Sequence, residues 1–174
     1  MAKVNIDAII PREDFEVAGN NSSGNLKHSL SVSDFTSSFF QPFIRKPDFQ
    51  RETSEWDVKK ICGFLESYIN GDLIPSIILW RSSSGLFFVI DGAHRLSALI
   101  AWIFDDYGDG EISQKFYGGN IPEDQKQIAS ETRKQINKRI GSYKEIIESH
   151  KQSNPNFEYI QRAKYLGAFS MQVQ

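Results

Sequence analysis

The stretch Leu86-Phe87-Phe88-Val89-Ile90-Asp91-Gly92-Ala93-His94-Arg95-Leu96 decides the reading of this chain. An apolar run ends at Asp91-Gly92, and Leu96, Leu99, Ile100 and Ile103 then recur at helical spacing. A strand that passes directly into a helix leaves the first helical N–H groups unpaired and pointing outward. Glycine lets a ligand come close to that backbone, which makes an anion site suited to phosphate. Arg95, in the first helical turn, offers a forked donor for phosphate oxygens. Asp91 reads as a ligand for a divalent metal, or as an orienter of Arg95 or of a water. His94 reads as a proton shuttle or a phosphate contact. The plainer reading makes Asp91 a helix cap, Gly92 a turn and Arg95 the partner of a surface acid.

Working outward, Ser76-Ile77-Ile78-Leu79-Trp80 is a second short apolar run, joined to the first through Ser82-Ser83-Ser84-Gly85. The two runs predict a hairpin, and their apolar residues on both faces predict a central place for it. Upstream, Ser54 with Asp57 suggests a capping box, and Val58, Ile61, Cys62, Leu65 and Ile69 predict a helix that stops at Asn70-Gly71. Residues 39–51 carry Phe39, Phe40, Phe43 and Phe49, interrupted by Pro42 and Pro47, and read as extended chain. Val4, Ile6, Ile9, Ile10, Phe15 and Val17 around Pro11 predict a packed N-terminal arm, whereas residues 18–33 have the composition of a mobile loop.

Downstream, 105–111 is an acidic, glycine-bearing loop whose spacing fails the EF-hand pattern, so a solvated helix end is expected. One helix is expected from Pro122 to near Asn154, with Ile128, Ile136, Ile140, Tyr143 and Ile147 as its stripe and Gly141 weakening its middle. Lys134, Lys138, Arg139, Lys144 and Lys151 make it mildly basic, diluted by Glu131, Glu145 and Glu148, as on a solvated face. Residues 159–166 read as a short helix and 169–174 alternate like a half-buried strand. The chain stops there without a turn or polar tail, which suggests a piece of a longer protein. Cys62, Trp80 and Trp102 read as core, Trp56 is left open, and His28 carries no signal.

The chain has 174 residues, the size of one domain. Apolar residues make up 40% and charged residues 24%, a globular mix with 13 Phe to fill a core. A net charge of −2 argues against binding nucleic acid by bulk positive charge, and a single Cys excludes a disulfide framework or a Cys-rich zinc site. No apolar run approaches the ~18–20 residues of a membrane span, and the start lacks the core of a signal peptide. A cytoplasmic protein without a membrane partner is expected, and the Asn20-Asn21-Ser22-Ser23 sequons are then incidental.

Asp91-Gly92-Ala93-His94-Arg95-Leu96 resembles the Asp-Gly-Gln-Gln-Arg-Leu motif of the ParB/sulfiredoxin-like superfamily, in particular the N-terminal domain of GmrSD-type, modification-dependent restriction enzymes. Pro47-Asp48-Phe49-Gln50-Arg51 is similar to that family's Pro-x-Tyr-Gln-Arg element. Trp56, the helix to Ile69 and Gly71-Asp72-Leu73-Ile74-Pro75-Ser76-Ile77 are similar to its helix and Ile-Pro-x-Ile strand entry. The elements occur in order over about residues 40–105.

The resemblance implies an α+β fold, a mixed sheet flanked by helices with a C-terminal helical extension. It divides the chain into an arm and loop (1–33), a nucleotide-binding core (34–112) and a helical extension with a final strand (113–174). It implies binding, and with Mg²⁺ hydrolysis, of a nucleoside triphosphate that regulates DNA cleavage in phage defence. Asp91, Gly92, Ala93, His94 and Arg95 would form the phosphate turn, Gln50 and Arg51 would reach it, Asp91 would hold Mg²⁺, and Asp91, His94 and Arg95 would act in catalysis. Ala93 and His94 depart from the motif by replacing two Gln residues. The turn is also similar to the Gly-Cys-His-Arg turn of sulfiredoxins, but Ala93 stands where the thiol would be, which excludes sulfinic-acid reduction. The only histidines are His28, His94 and His150, without a His-Asn-His-like cluster, so a nuclease is expected on a further C-terminal part or a separate chain. The partners expected are nucleotide and, directly or through that nuclease, DNA; an oligomer is compatible with the sequence. The alternative is a non-catalytic, ParB-like DNA-binding or partition module, and a third reading is a scaffold that keeps the turn only for folding.

Overall fold

A computed structural model describes residues 2–15, 28–36, 40–154, 156–168 and 170–174. Of the loop expected at 18–33, residues 18–27 lie outside these residues, as do Val17, Phe39, Pro155 and Phe169, whereas 28–33 is ordered structure that buries Leu30 and Val32, not a mobile loop. The strands are β1 (Arg12–Glu13), β2 (Ser29–Leu30), β3 (Ile44–Pro47), β4 (Ile78–Arg81), β5 (Phe87–Asp91) and β6 (Met171–Gln172). One mixed sheet has the order β1-β3-β5-β4, with β1, β3 and β5 parallel and β4 antiparallel to β5. Of the hairpin expected to be central, β5 lies inside the sheet, whereas β4 is its end strand. The link of the hairpin is closed by Ser82, whose N–H donates to the Leu86 carbonyl (2.8 Å) and whose Oγ accepts from the Leu86 N–H (3.0 Å). β6 pairs antiparallel with β2. Beyond it the terminal residues run along the free side of β4, where the Leu79 N–H meets the Gln174 carbonyl (2.9 Å) and the Gln174 N–H meets that of Ile77 (3.0 Å). Met171 and Val173 point inward and Gln172 and Gln174 outward, so the expected alternation holds.

The helices are α1 (Val32–Thr36), α2 (Val58–Asn70), α3 (Ala93–Phe104), α4 (Glu111–Phe116), α5 (Glu123–Arg139), α6 (Tyr143–Glu148) and α7 (Phe157–Ala168). α2 buries Ile61, Cys62, Leu65 and Ile69 at the predicted spacing. Its cap is Asp57, whose carboxylate accepts from the Lys60 N–H (2.9 Å), in place of the Ser54 box expected from sequence. Burial raises the Cys62 thiol above its ordinary range, which suits a packed side chain. α3 is buried along nearly its whole length, from Ala93 to Trp102, and forms the spine of the core. One cluster of buried apolar residues draws on Val4, Ile6 and Ile9 of the arm, on α2, α3 and the sheet, and on Ile136, Ile146 and Met171.

Two expectations are corrected. The acidic loop is not simply solvated: Asp106 is fully buried and accepts from the N–H groups of Gly108 (3.1 Å), Gly110 (2.9 Å) and Ser113 (2.8 Å) and from Ser113 Oγ (2.6 Å). Arg133 of α5 closes over the loop, bonding Asp105 (2.9 Å) and both carboxylate oxygens of Asp109 (2.7 and 3.0 Å). The helix expected from Pro122 to Asn154 is two helices. Gly141 takes a left-handed backbone (φ 95°) and Ser142 with Glu145 opens α6 through a capping box. The register shift brings Ile146 inward and leaves Ile147 at the surface. The Gly141 carbonyl accepts from Trp102 Nε1 (3.0 Å), which ties the break to α3.

A Cβ at Gly141 would lie 2.6 Å from the Tyr159 hydroxyl, and its positive φ adds strain. Gly141→Ala is expected to cost about 2 kcal/mol and lower Tm by about 4–8 °C. Gly63 of α2 has open space around it. Gly63→Ala is expected to leave stability unchanged or raise it by up to about 1 kcal/mol. Thermal denaturation of both variants checks the contrast.

Candidate functional site

β5 ends at Asp91, Gly92 turns the chain, and α3 begins at Ala93. Gly92 adopts φ 94°, and a Cβ there would lie 2.9 Å from Ile77 Cγ1 and 3.2 Å from Arg95 Nη2. Only glycine fits without strain. No side chain caps the start of α3, so its first N–H groups are left for water or a ligand. A cleft of about 450 Å³ opens over this turn, within the range of small-molecule sites. Its lining includes Gln50, Arg51, Asp91, Gly92, Ala93, His94 and Arg95, all seven residues expected from sequence. Phe49, Trp56 and Ile90 complete it.

Arg95 is heavily engaged. Its Nη2 donates to Asp91 Oδ2 (2.6 Å), and its Nη1 donates to the carbonyls of Pro75 and Ser76, the latter at 3.4 Å. Its side chain is only 14% exposed, against 61% for Asp91. The fork therefore clasps the entry of β4 to the end of β5 and the first turn of α3. Arg51 is the contrasting cation: it is exposed and makes no hydrogen bond or ion pair among the described residues. Gln50 is an anchor. Its Nε2 donates to the Ile90 carbonyl (2.7 Å), its own N–H closes a turn on the Pro47 carbonyl (3.0 Å), and its carbonyl accepts from Arg12. These bonds hold turn 47–50 against the end of β5.

His94 stacks on Trp56, ring centres 5.6 Å apart and planes 22° from parallel. Its Nε2 is buried and has no hydrogen-bond partner. Burial first, then the charges of Lys46 and Arg51, hold the imidazole below its ordinary pKa against the opposing pull of Glu55 and Asp7. It is mostly neutral at pH 7.

Behind the cleft lies a network that sequence reading missed. Lys46 on β3 is fully buried, and its Nζ donates to the Asp7 carbonyl (2.7 Å), Asp7 Oδ1 (2.5 Å) and Thr53 Oγ1 (3.2 Å). Burial lowers the Lys46 pKa more than Asp7 restores it. Burial alone would raise the Asp7 carboxyl, but bonds from Lys46 and the Thr53 N–H, with the charges of Lys46 and Arg12, bring it below the ordinary range. Nothing local in either stretch announces the pair, because the partners are 39 positions apart. Among the described residues no group of three or more His, Cys, Asp or Glu could hold a metal ion, and no helix is long and apolar enough to cross a membrane.

The fold is thus α+β, with its candidate site where the central strand passes into the core helix. Residues 32–171 match the family model described as the GmrSD restriction endonuclease, N-terminal domain, and the chain belongs to that family. It is accordingly a GmrSD-type restriction and defence protein. No curated protein and no solved structure matches it.

The clasp sets two expectations for stability. Arg95→Ala leaves the Pro75 and Ser76 carbonyls without their donor and should cost about 1–2 kcal/mol, discounted for the exposed Asp91 end. Arg95→Lys should recover little of it, since a point charge cannot bridge three oxygens; urea denaturation of both measures this. His94 has a folded pKa below its unfolded 6.5. Its contribution is therefore complete above pH 6.5 and is lost as pH falls through the folded value. Stability should drop as pH falls below 6.5, and His94→Gln should flatten that part of the profile.

Proposed function

We propose that the cleft binds a nucleoside triphosphate with Mg²⁺ and that this binding, with hydrolysis, regulates a nuclease carried on another part of the protein or on a partner. The observation that supports it most is the placement of Arg51, unpaired among the described residues, beside the uncapped start of α3 in one cleft. Helix N–H groups and an uncommitted guanidinium are the donors a polyphosphate requires. The phosphates sit over Gly92 and Ala93 and against Arg51. Arg95 acts as a positioning residue, because its donors already hold Asp91 and two carbonyls. Mg²⁺ fits as an ion held mainly by phosphate oxygens and water, with Asp91 as its one protein carboxylate: Oδ2 faces Arg95, and Oδ1 takes no hydrogen bond among the described residues.

In hydrolysis water attacks the γ-phosphorus, the bridging oxygen leaves with the diphosphate, and neutral His94 accepts the proton that water gives up. The chemistry rests on positioning and charge neutralisation. The regulated cleavage is of DNA, in the cytoplasm where phage DNA is met.

Calorimetric titration of the four nucleoside triphosphates with Mg²⁺ tests this reading. A charge-assisted contact of ~1.5–3 kcal/mol predicts that Arg51→Ala weakens binding by about 10- to 150-fold with the fold intact. Unchanged affinity in that variant would remove Arg51 from the site. Binding of DNA alone, without Mg²⁺ or nucleotide and with a steep salt dependence, would favour the ParB-like alternative.

A further inference from the structure

The cleft has a feature that phosphate binding leaves unused. Phe49 stands at its rim 65% exposed, the residue directly before Gln50 and Arg51. A large aromatic side chain gains nothing from water at that exposure, and the backbone holds it there rigidly. Turn 47–50 is closed by its own hydrogen bond and pinned to β5 through Gln50. Phe15 meets the ring in a T-shaped contact, centres 5.5 Å apart with planes at 84°, which steadies it and occupies one side at most. The other aromatic of the cleft, Trp56, already has His94 against it. Phe49 is thus an immobilised π-surface beside a phosphate-sized set of donors.

We infer that Phe49 is the stacking platform for the base of the bound nucleotide, and that the cleft takes a nucleoside polyphosphate by its aromatic base as well as by its phosphates. This rests on the nucleotide reading of the cleft and adds the part of the ligand which that reading leaves unassigned. Stacking uses the face of a base and not its edge, so it tolerates every base. The amide beside the platform, that of Gln50, already donates one Nε2–H to the Ile90 carbonyl.

The test separates base from phosphate. ATP and inorganic tripolyphosphate, each with Mg²⁺, are titrated into the wild type and into Phe49→Leu, which keeps apolar bulk against Phe15 but has no π-face. Phe49→Trp is run beside them, and circular dichroism confirms that each variant is folded. Loss of a stacked base predicts that Phe49→Leu weakens ATP by about 5- to 150-fold. Tripolyphosphate affinity should stay unchanged, and Phe49→Trp should bind ATP at least as well as wild type. Retained ATP affinity in Phe49→Leu, or an equal loss for both ligands, overturns the role of Phe49 while leaving the phosphate site standing. Failure of the wild type to bind either ligand overturns the nucleotide reading itself, and the role of Phe49 with it.

Discussion

The guanidinium of Arg95 is the constraint on which this arrangement depends. The Pro75 and Ser76 carbonyls that lead into β4, the Asp91 side chain at the end of β5 and the first turn of α3 meet on one planar fork, which extends the Ile78–Asp91 pairing beyond the sheet. A cation in the first turn of a helix is poorly placed, since the N-terminus carries the positive end of the dipole. Asp91, one turn back, offsets it at 2.6 Å. The pair is neutral as a unit. On the proposed reading, the pull on a polyanion would then fall to the helix N–H groups and to Arg51, and the residue most conspicuous in the sequence is not the one left uncommitted among the described residues.

A second ionic group lies deeper and explains why the N-terminal arm belongs to the sheet. Lys46 brings a charge into the core on β3, and the arm supplies the carboxylate that makes this tolerable. Removing the Asp7 carboxylate would strand the buried Lys46 charge, at a cost of about 3–5 kcal/mol. Arg12 shares the same carboxylate (3.2 Å) while holding the Gln50 carbonyl, so one network fixes both the parallel pairing of β1 with β3 and the turn that carries Phe49 and Arg51. With two cations around one carboxylate the network is positive, and part of that potential reaches His94.

Much of the fold was legible in the sequence where burial has a period. The hairpin, α2, α3 and the terminal strand each carry their apolar residues at the spacing that their geometry demands. Legibility failed where the deciding partner is remote. The acids at 105–111 look solvated in isolation, and only the arrival of Ser113 buries Asp106 while Arg133 ties down Asp105 and Asp109. The stripe from Ile128 to Ile147 runs through Gly141 as if unbroken, because Ile140 and Tyr143 serve both registers until Tyr159 and Trp102 fix the bend. The same limit applies to the cleft. A motif could bring its seven residues together, but the carbonyls of Pro75 and Ser76 that occupy Arg95, and the exposure of Phe49, are properties of the folded chain.

The two departures from the Asp-Gly-Gln-Gln-Arg pattern gain a physical meaning here. Two glutamines would place two amides, each donor and acceptor, over the turn. Ala93 offers no polar atom and is buried, so at this position the backbone N–H is the contact that remains. His94 replaces the second amide with a titratable ring that stacks on Trp56 and whose pKa burial holds below the ordinary histidine range. On the proposed reading, recognition would thereby shift from side-chain amides, which read shape at any pH, to backbone donors, Arg51 and one imidazole. A polyanion entering the cleft would favour the protonated ring and so raise its pKa. On the proposed reading, occupancy of this site would therefore be coupled to a proton, a coupling that a Gln-Gln pair cannot provide.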